Sequence, residues 1–288
     1  MHTQLFTLAD RSYVRVAGPA TADFLNRLLT VDCKRLPVGQ PTRAFLLEAR
    51  GRVILALRLL RLEPTVFEIE AGPGQTEAVL ERLDHFHFGE ALTFEASTTH
   101  THLLLAGPDV DAVLAGARLA IGAFCTDQDV AILPTDRLAA PARELWVRRD
   151  ALAAVEAALV AAGAQPAGPE VLEMLRILQG IPDDAEYSPE ATPLEAGKAG
   201  ISEGKGCYPG QEVIERTLAL GRPARQLVAV RLGGAVPVGA ELTAEGEPAG
   251  RLTSIAQQLD GTWLGLALVR PKYAEVALDA AGTPVHPR

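Results

Sequence analysis

The segment Lys205-Gly206-Cys207-Tyr208-Pro209-Gly210-Gln211-Glu212-Val213-Ile214-Glu215-Arg216 decides how this chain is read. Two glycines and a proline around one cysteine specify a tight backbone turn. Gln211 to Arg216 then has helical character, with Glu212 and Arg216 spaced for an i,i+4 ion pair. A thiol in such a turn, just ahead of a helix start and two residues from Lys205, sits in positive potential, which favours thiolate. The plainer reading of a lone cysteine is a small buried hydrophobe, and the local sequence leaves both open.

On the N-terminal side of this segment, short strands and helices alternate without a long βαβ series, which predicts an α+β layer fold. Strands are expected at Tyr13 to Val16, Arg43 to Leu47, Val53 to Leu60, Thr65 to Glu70, Leu92 to Glu95 and His102 to Leu105. The second and third of these form a hairpin across Ala49, Arg50 and Gly51. Helices are expected after caps at Thr21 and Asp109, from Thr76 to His85, from Arg149 to Ala162, and from Pro169 to Gly180. Residues 181–200 hold three prolines and little periodicity, and read as an ordered or semi-ordered loop. After Arg216 come apolar strands at Gln226 to Leu232, Ala240 to Thr243, Gly250 to Ile255 and Trp263 to Leu268, the pattern of a small β-barrel.

Composition narrows the function classes. With 48% hydrophobic and 22% charged residues over 288 positions, the chain has material for more than one core and is neither disordered nor fibrous. Three cysteines, Cys33, Cys125 and Cys207, without CxxC spacing argue against a disulfide framework and fit a reducing cytoplasm. No export signal or membrane span is expected, and a net charge of −9 disfavours DNA binding. Yet residues 1–62 hold ten Lys/Arg against four Asp/Glu, and residues 197–231 hold six against three. Either these basic stretches meet to form a site for a small anion, or they are two solvated faces.

Residues 205–216 fit the pattern K-G-C-[YF]-x-G-Q-E-x-x-x-R at every defined position, and in this the chain resembles the YgfZ family, folate-binding relatives of the glycine-cleavage T-protein. Leu175-Arg176 with Gln179-Gly180-Ile181-Pro182, the tripeptide Pro193-Leu194-Glu195, and Gly221 to Leu227 extend the resemblance over roughly residues 170–230. Two departures flank the signature: Gly197 stands where many relatives have Asn, and Gly200 to Gly204 replaces a more apolar run. The resemblance implies a T-protein-like multi-domain ring with a C-terminal barrel. Its expected divisions are a folate-binding region over 1–200, the signature turn and helix over 201–224, and the barrel over 225–288.

It implies, further, a tetrahydrofolate-binding accessory protein that supports assembly or repair of iron–sulfur enzymes, tRNA-modifying ones included. Its partners would be a reduced folate and iron–sulfur enzymes or assembly proteins. Cys207 would be the key thiol, Lys205 the source of local positive potential, and Gly206, Tyr208 and Gly210 the shapers of the turn. Gln211, Glu212 and Arg216 would order the turn and helix, while Arg176, Glu195 and Arg225 are candidates for the ligand side. The T-protein carries an acidic pair in its hairpin where this chain has Leu55 and Ala56. Neither side chain can move a proton, so aminomethyl transfer is not expected. A tetrahydrofolate-dependent one-carbon transferase or demethylase using another acid is the alternative, and a structural interaction module with an inert Cys207 is the second. His85-x-His87 and His100-x-His102 would each place two imidazoles on one strand face, but no third ligand is evident and no metal site is expected.

Overall fold

The computed structural model describes residues 2–8, 10–119, 128–139 and 141–288. The chain divides into two compact units, each built from three separate stretches. Unit 1 takes residues 1–46, 55–168 and 200–208, and unit 2 takes 47–54, 169–199 and 209–288.

In chain order, the elements before Pro169 begin with β1 (Gln4–Thr7), β2 (Ser12–Ala17), α1 (Thr21–Leu28), β3 (Thr42–Leu47) and β4 (Val53–Glu63). They continue with β5 (Val66–Ala71), α2 (Thr76–His85), β6 (Thr93–Ala96), β7 (His100–Ala106) and α3 (Val110–Gly116). The last four are β8 (Val130–Leu133), β9 (Ala142–Arg148), α4 (Leu152–Ala161) and β10 (Gln165–Pro166). They build two five-stranded sheets, ordered β3-β4-β5-β2-β6 and β10-β1-β7-β9-β8. The period-2 alternation of β7 and β9 assigns the faces of the second sheet. Leu103, Leu105, Leu145 and Val147 pack with α3 and α4 in one core, whereas His102, Glu144 and Trp146 face the first sheet.

Unit 2 contains α5 (Pro169–Gln179), α6 (Gln211–Leu220) and the strands β11 (Gln226–Leu232), β12 (Glu241–Ala244), β13 (Glu247–Gln257), β14 (Trp263–Val269), β15 (Leu278–Ala280) and β16 (Thr283–Pro287). These six strands close into a barrel in the order β11-β14-β13-β12-β15-β16. Val230, Leu242, Leu252, Val269 and Val285 are buried inside it. The loop over 181–200 is ordered by two short 3-10 turns, Asp184–Glu186 and Pro193–Glu195, each closed by a reciprocal capping box.

Two expected caps are corrected. Ala20 occupies the cap position of α1, and Thr21 is its first residue, with its buried hydroxyl unpaired. Asp109 does precede α3 but makes no side-chain cap bond. The helix expected from Arg149 begins only at Leu152, because Arg149 to Ala151 form a turn leading out of β9.

Candidate functional site

The signature begins in unit 1 on a strap, residues 200–208, fastened along the loop that follows α1. Thr30 Oγ1 donates to the Gly200 carbonyl at 2.5 Å, the Ser202 amide donates to the Thr30 carbonyl at 3.0 Å, and the Asp32 amide donates to Ser202 Oγ at 3.0 Å. Gly200 has φ +81°, and a Cβ there would lie 2.8 Å from the Phe45 ring and 2.9 Å from the Arg43 carbonyl oxygen. This close approach gives glycine at position 200 a physical reason.

Lys205 is buried, and its ammonium donates to the carbonyls of Asn26 at 2.6 Å and Leu29 at 2.5 Å. It also lies 4.6 Å from the centroid of the Tyr208 ring. Burial pulls the Lys205 pKa below its ordinary value. Two residues further on, Cys207 is exposed. The other described cysteine, Cys33, is fully buried, and burial pushes its thiol up to about 12 against the opposing pull of Lys205. Cys125 lies outside the described residues.

The signature ends in unit 2, where Gly210 precedes α6 with φ +80°. A Cβ on Gly210 would fall 2.6 Å from the Glu48 carbonyl oxygen and 2.9 Å from Gly51 Cα, so the hairpin turn and the helix start close-pack backbone on backbone. Gly210→Ala is therefore expected to cost about 2–3 kcal/mol, from left-handed strain plus the clash. Urea denaturation of the purified variant checks it, and a loss below about 0.5 kcal/mol would refute the packing argument. On α6, Gln211 Nε2 donates to Glu215 Oε1 and Arg216 Nη2 to Glu212 Oε1, both at 2.6 Å, the second being the expected i,i+4 pair. Both pairs are solvent-exposed and contribute little.

Part of the positive charge of the first basic stretch is already committed within the fold. In residues 1–62, Arg11, Arg27, Lys34, Arg35 and Arg58 pair with carboxylates, and Arg61 donates to three backbone carbonyls.

The expectation that each histidine pair lies on one strand face holds for His100 and His102 and is corrected for His85 and His87. His85 ends α2 rather than lying on a strand, and His87 beyond it contacts the Glu90 carbonyl at 2.9 Å. His100 and His102 do lie on β7, but His100 stacks on Trp146 with ring centroids 3.5 Å apart, and His102 is buried in an ionic cluster. His102 Nδ1 lies 2.7 Å from Glu144 Oε1 and its Nε2 3.2 Å from Glu68 Oε1. Glu144 also accepts from Arg58, Arg137 and Thr135, and Glu68 from Trp146 and Ser97. Burial would lower the His102 pKa, but the contacts of both ring nitrogens with Glu144 and Glu68 outweigh this and raise it to about 9, which favours the imidazolium. Ligand atoms of Glu70, His102 and Glu144 come within 4.8 Å of one another, but Arg58, Arg137 and the imidazolium already supply the positive charge a metal would bring.

Comparison with known proteins follows the two-part design. The GCVT N-terminal domain family matches residues 2–124, and the CAF17 C-terminal β-barrel domain family matches residues 225–288. A putative chloroplastic transferase of Arabidopsis thaliana is 25% identical over 91% of this chain, which spans 64% of that relative's length. The human mitochondrial iron–sulfur cluster assembly factor IBA57 is 30% identical over 85% of this chain and 73% of its own. The chain belongs to the YgfZ/CAF17/IBA57 family. The crystal structure of glycine cleavage system aminomethyltransferase T from Bartonella henselae superposes with a TM-score of 0.86 at 23% identity, covering all of this chain and 85% of that one. The fold of this family member is thus T-protein-like.

Against that fold, the remaining expected residues of this YgfZ/CAF17/IBA57 protein can be placed. On β4, Leu55 is buried and Ala56 partly buried. In unit 2 the five N–H groups of Arg176 go to Glu173 twice, to the Ile181 carbonyl, to Glu186 and to Ser254. Arg176 is therefore a clasp joining α5, the following 3-10 turn and β13, with no donor left for the ligand contact expected of it. Glu195 Oε2 accepts from Arg225 Nε at 2.5 Å while Oε1 accepts the Thr192 amide at 3.1 Å. Among the described residues, no helix is long and apolar enough to cross a membrane.

Proposed function

We propose that this chain is a reduced-folate-binding accessory protein that supports assembly or repair of iron–sulfur enzymes, tRNA-modifying ones among them, with Cys207 as its working thiol. The observation that carries the reading is the exposed Cys207 on a fastened strap, in a chain 30% identical to a relative named as an iron–sulfur cluster assembly factor. An accessible thiol can attack, ligate or exchange, whereas a buried one is inert. Three cysteines without disulfide spacing suit a reducing compartment such as the cytoplasm. The folate assignment draws on the T-protein-like fold, with Glu195 and Arg225 as ligand-side candidates and Arg176 holding the loop that carries Glu195. Tetrahydrofolate-dependent one-carbon transfer or demethylation is the second reading, favoured by the transferase-named relative. It is disfavoured by Leu55 and Ala56, which supply no acid.

The reading is tested by calorimetry with tetrahydrofolate and by restoring the chain to cells that lack it. One reduced folate should bind per chain, and iron–sulfur enzyme activity should recover without turnover of a methylated amine. Absence of binding up to millimolar folate, weaker than about −4 kcal/mol, removes the folate assignment. Turnover of a methylated amine would establish the second reading instead.

A further inference from the structure

The last carbonyls of a helix have no intrahelical donor, and a cation is favourable beside them. Lys205 meets this need at the end of α1: its ammonium donates to Asn26 O at 2.6 Å and Leu29 O at 2.5 Å, with the Tyr208 ring on a third side at 4.6 Å. An ammonium has three N–H groups, and two carbonyls and one ring face account for all of them. The Asn26 side chain extends the arrangement by accepting the Cys33 amide at 3.0 Å, which fixes the loop on which the strap rests. Cys207 stands outside this set of contacts and is exposed.

We propose that Lys205 is a positioning residue: its ammonium bolts the 200–208 strap to the end of α1 and thereby holds the exposed Cys207 thiol in one place, rather than acting on the thiol through its charge. This rests on the reading of Cys207 as the working thiol, but its test requires neither folate nor an iron–sulfur client, so the two can fail separately.

The test places a nitroxide on Cys207 in full-length protein carrying Cys33→Ala and Cys125→Ala, with Lys205, Lys205→Met or Lys205→Arg. A second label at Leu259→Cys, an exposed position on the β13–β14 hairpin, reports general loosening in a parallel set that also carries Cys207→Ala. Both Lys205 variants should shorten the rotational correlation time at Cys207 by about twofold or more, moving it toward that of a free loop, with no change at Leu259→Cys. The alkylation-versus-pH profile of unlabelled Cys207 should keep its midpoint to within about 0.3 pH units in both. Lys205→Arg decides the case should Lys205→Met fail to fold, because it keeps the charge but cannot reproduce the two carbonyl contacts. A Cys207 label as restrained as in the parent protein overturns the proposal. So does equal loosening at both label positions, or a midpoint that moves in Lys205→Met and stays in Lys205→Arg, which is the signature of charge.

Discussion

Glu144→Gln is expected to cost unit 1 about 3–5 kcal/mol, the usual penalty for breaking a buried ionic set by removing one partner. Glu144 is fully buried and accepts from Arg58, Arg137, His102 and Thr135, so neutralising it leaves an excess positive charge out of water. Around it stand the carboxyl groups of Glu68, Glu70 and Asp136, with Arg11 paired to Glu70 and the charge of Arg43 acting on Asp136. Four carboxylates meet the guanidinium groups of Arg11, Arg58 and Arg137 and the His102 ring, with the buried Arg43 adding positive charge beside Asp136. Burial alone would lower the His102 pKa, but its bonds to Glu144 and Glu68 outweigh this and raise it to about 9. A raised histidine contributes stability fully below its unfolded value and loses it as pH climbs toward 9. Burial would raise Glu144, yet Arg137 and Arg58 hold it well below its ordinary value, so its contribution is lost only in acid. Stability of the sheet pair should therefore be greatest near pH 5–6 and fall by roughly 3 kcal/mol toward pH 10. Tyr13, stacked on His102 with its hydroxyl pushed up by burial, does not ionise in this window. Amide hydrogen exchange at Leu103 and Leu145 reads this unit directly. A Glu144→Gln loss under 1 kcal/mol, or a flat alkaline limb, would sink the account.

Cys207→Ala should abolish rescue of iron–sulfur enzyme activity while leaving the protein folded, since an exposed side chain contributes little to packing. Thiol accessibility provides the companion measurement. Cys207 should be alkylated rapidly in native protein, whereas Cys33, with no accessible surface and a thiol pushed up to about 12, should react only on unfolding. Cys33→Ala and Cys125→Ala should rescue normally. Full rescue by Cys207→Ala would leave the structural module as the better account, in which the strap is an interaction surface and its thiol incidental.

Much of this architecture was legible in the sequence because period-2 alternation and turn residues carry it. The hairpin around Gly51 and the helix from Thr76 to His85 follow directly from those signals. Strand β9 was not legible: its interior holds Glu144 at full burial, and a charge on the core face breaks the apolar pattern used to find strands. The same cause hid the ionic cluster, because a histidine pair separated by one residue carries no signal of the carboxylates that neighbouring strands bring to it. The closing barrel hairpin β15–β16 was hidden by brevity and by its Ala281-Gly282 turn, where alanine takes φ +51° without the asparagine or aspartate that usually marks such a turn. Lys205 was legible as important but not as to its role. Charge near a thiol can be read from spacing, whereas the carbonyls that take up the charge come from Asn26 and Leu29, far away in sequence.

The ionic cluster also determines where this polypeptide can be cut. The conserved-domain match ends at residue 124, a natural place to divide a gene, but β8, Arg137 and β9 all lie beyond it. A fragment ending there would retain Arg58, Glu68, Glu70 and His102 while losing both Glu144 and Arg137, the two residues that close the buried circuit. Its second sheet would be left with an unpaired β7 edge where β9 belongs. The sequence boundary that marks shared ancestry is therefore not a boundary of independent folding, and the shortest self-sufficient form of the first unit must run past Arg148.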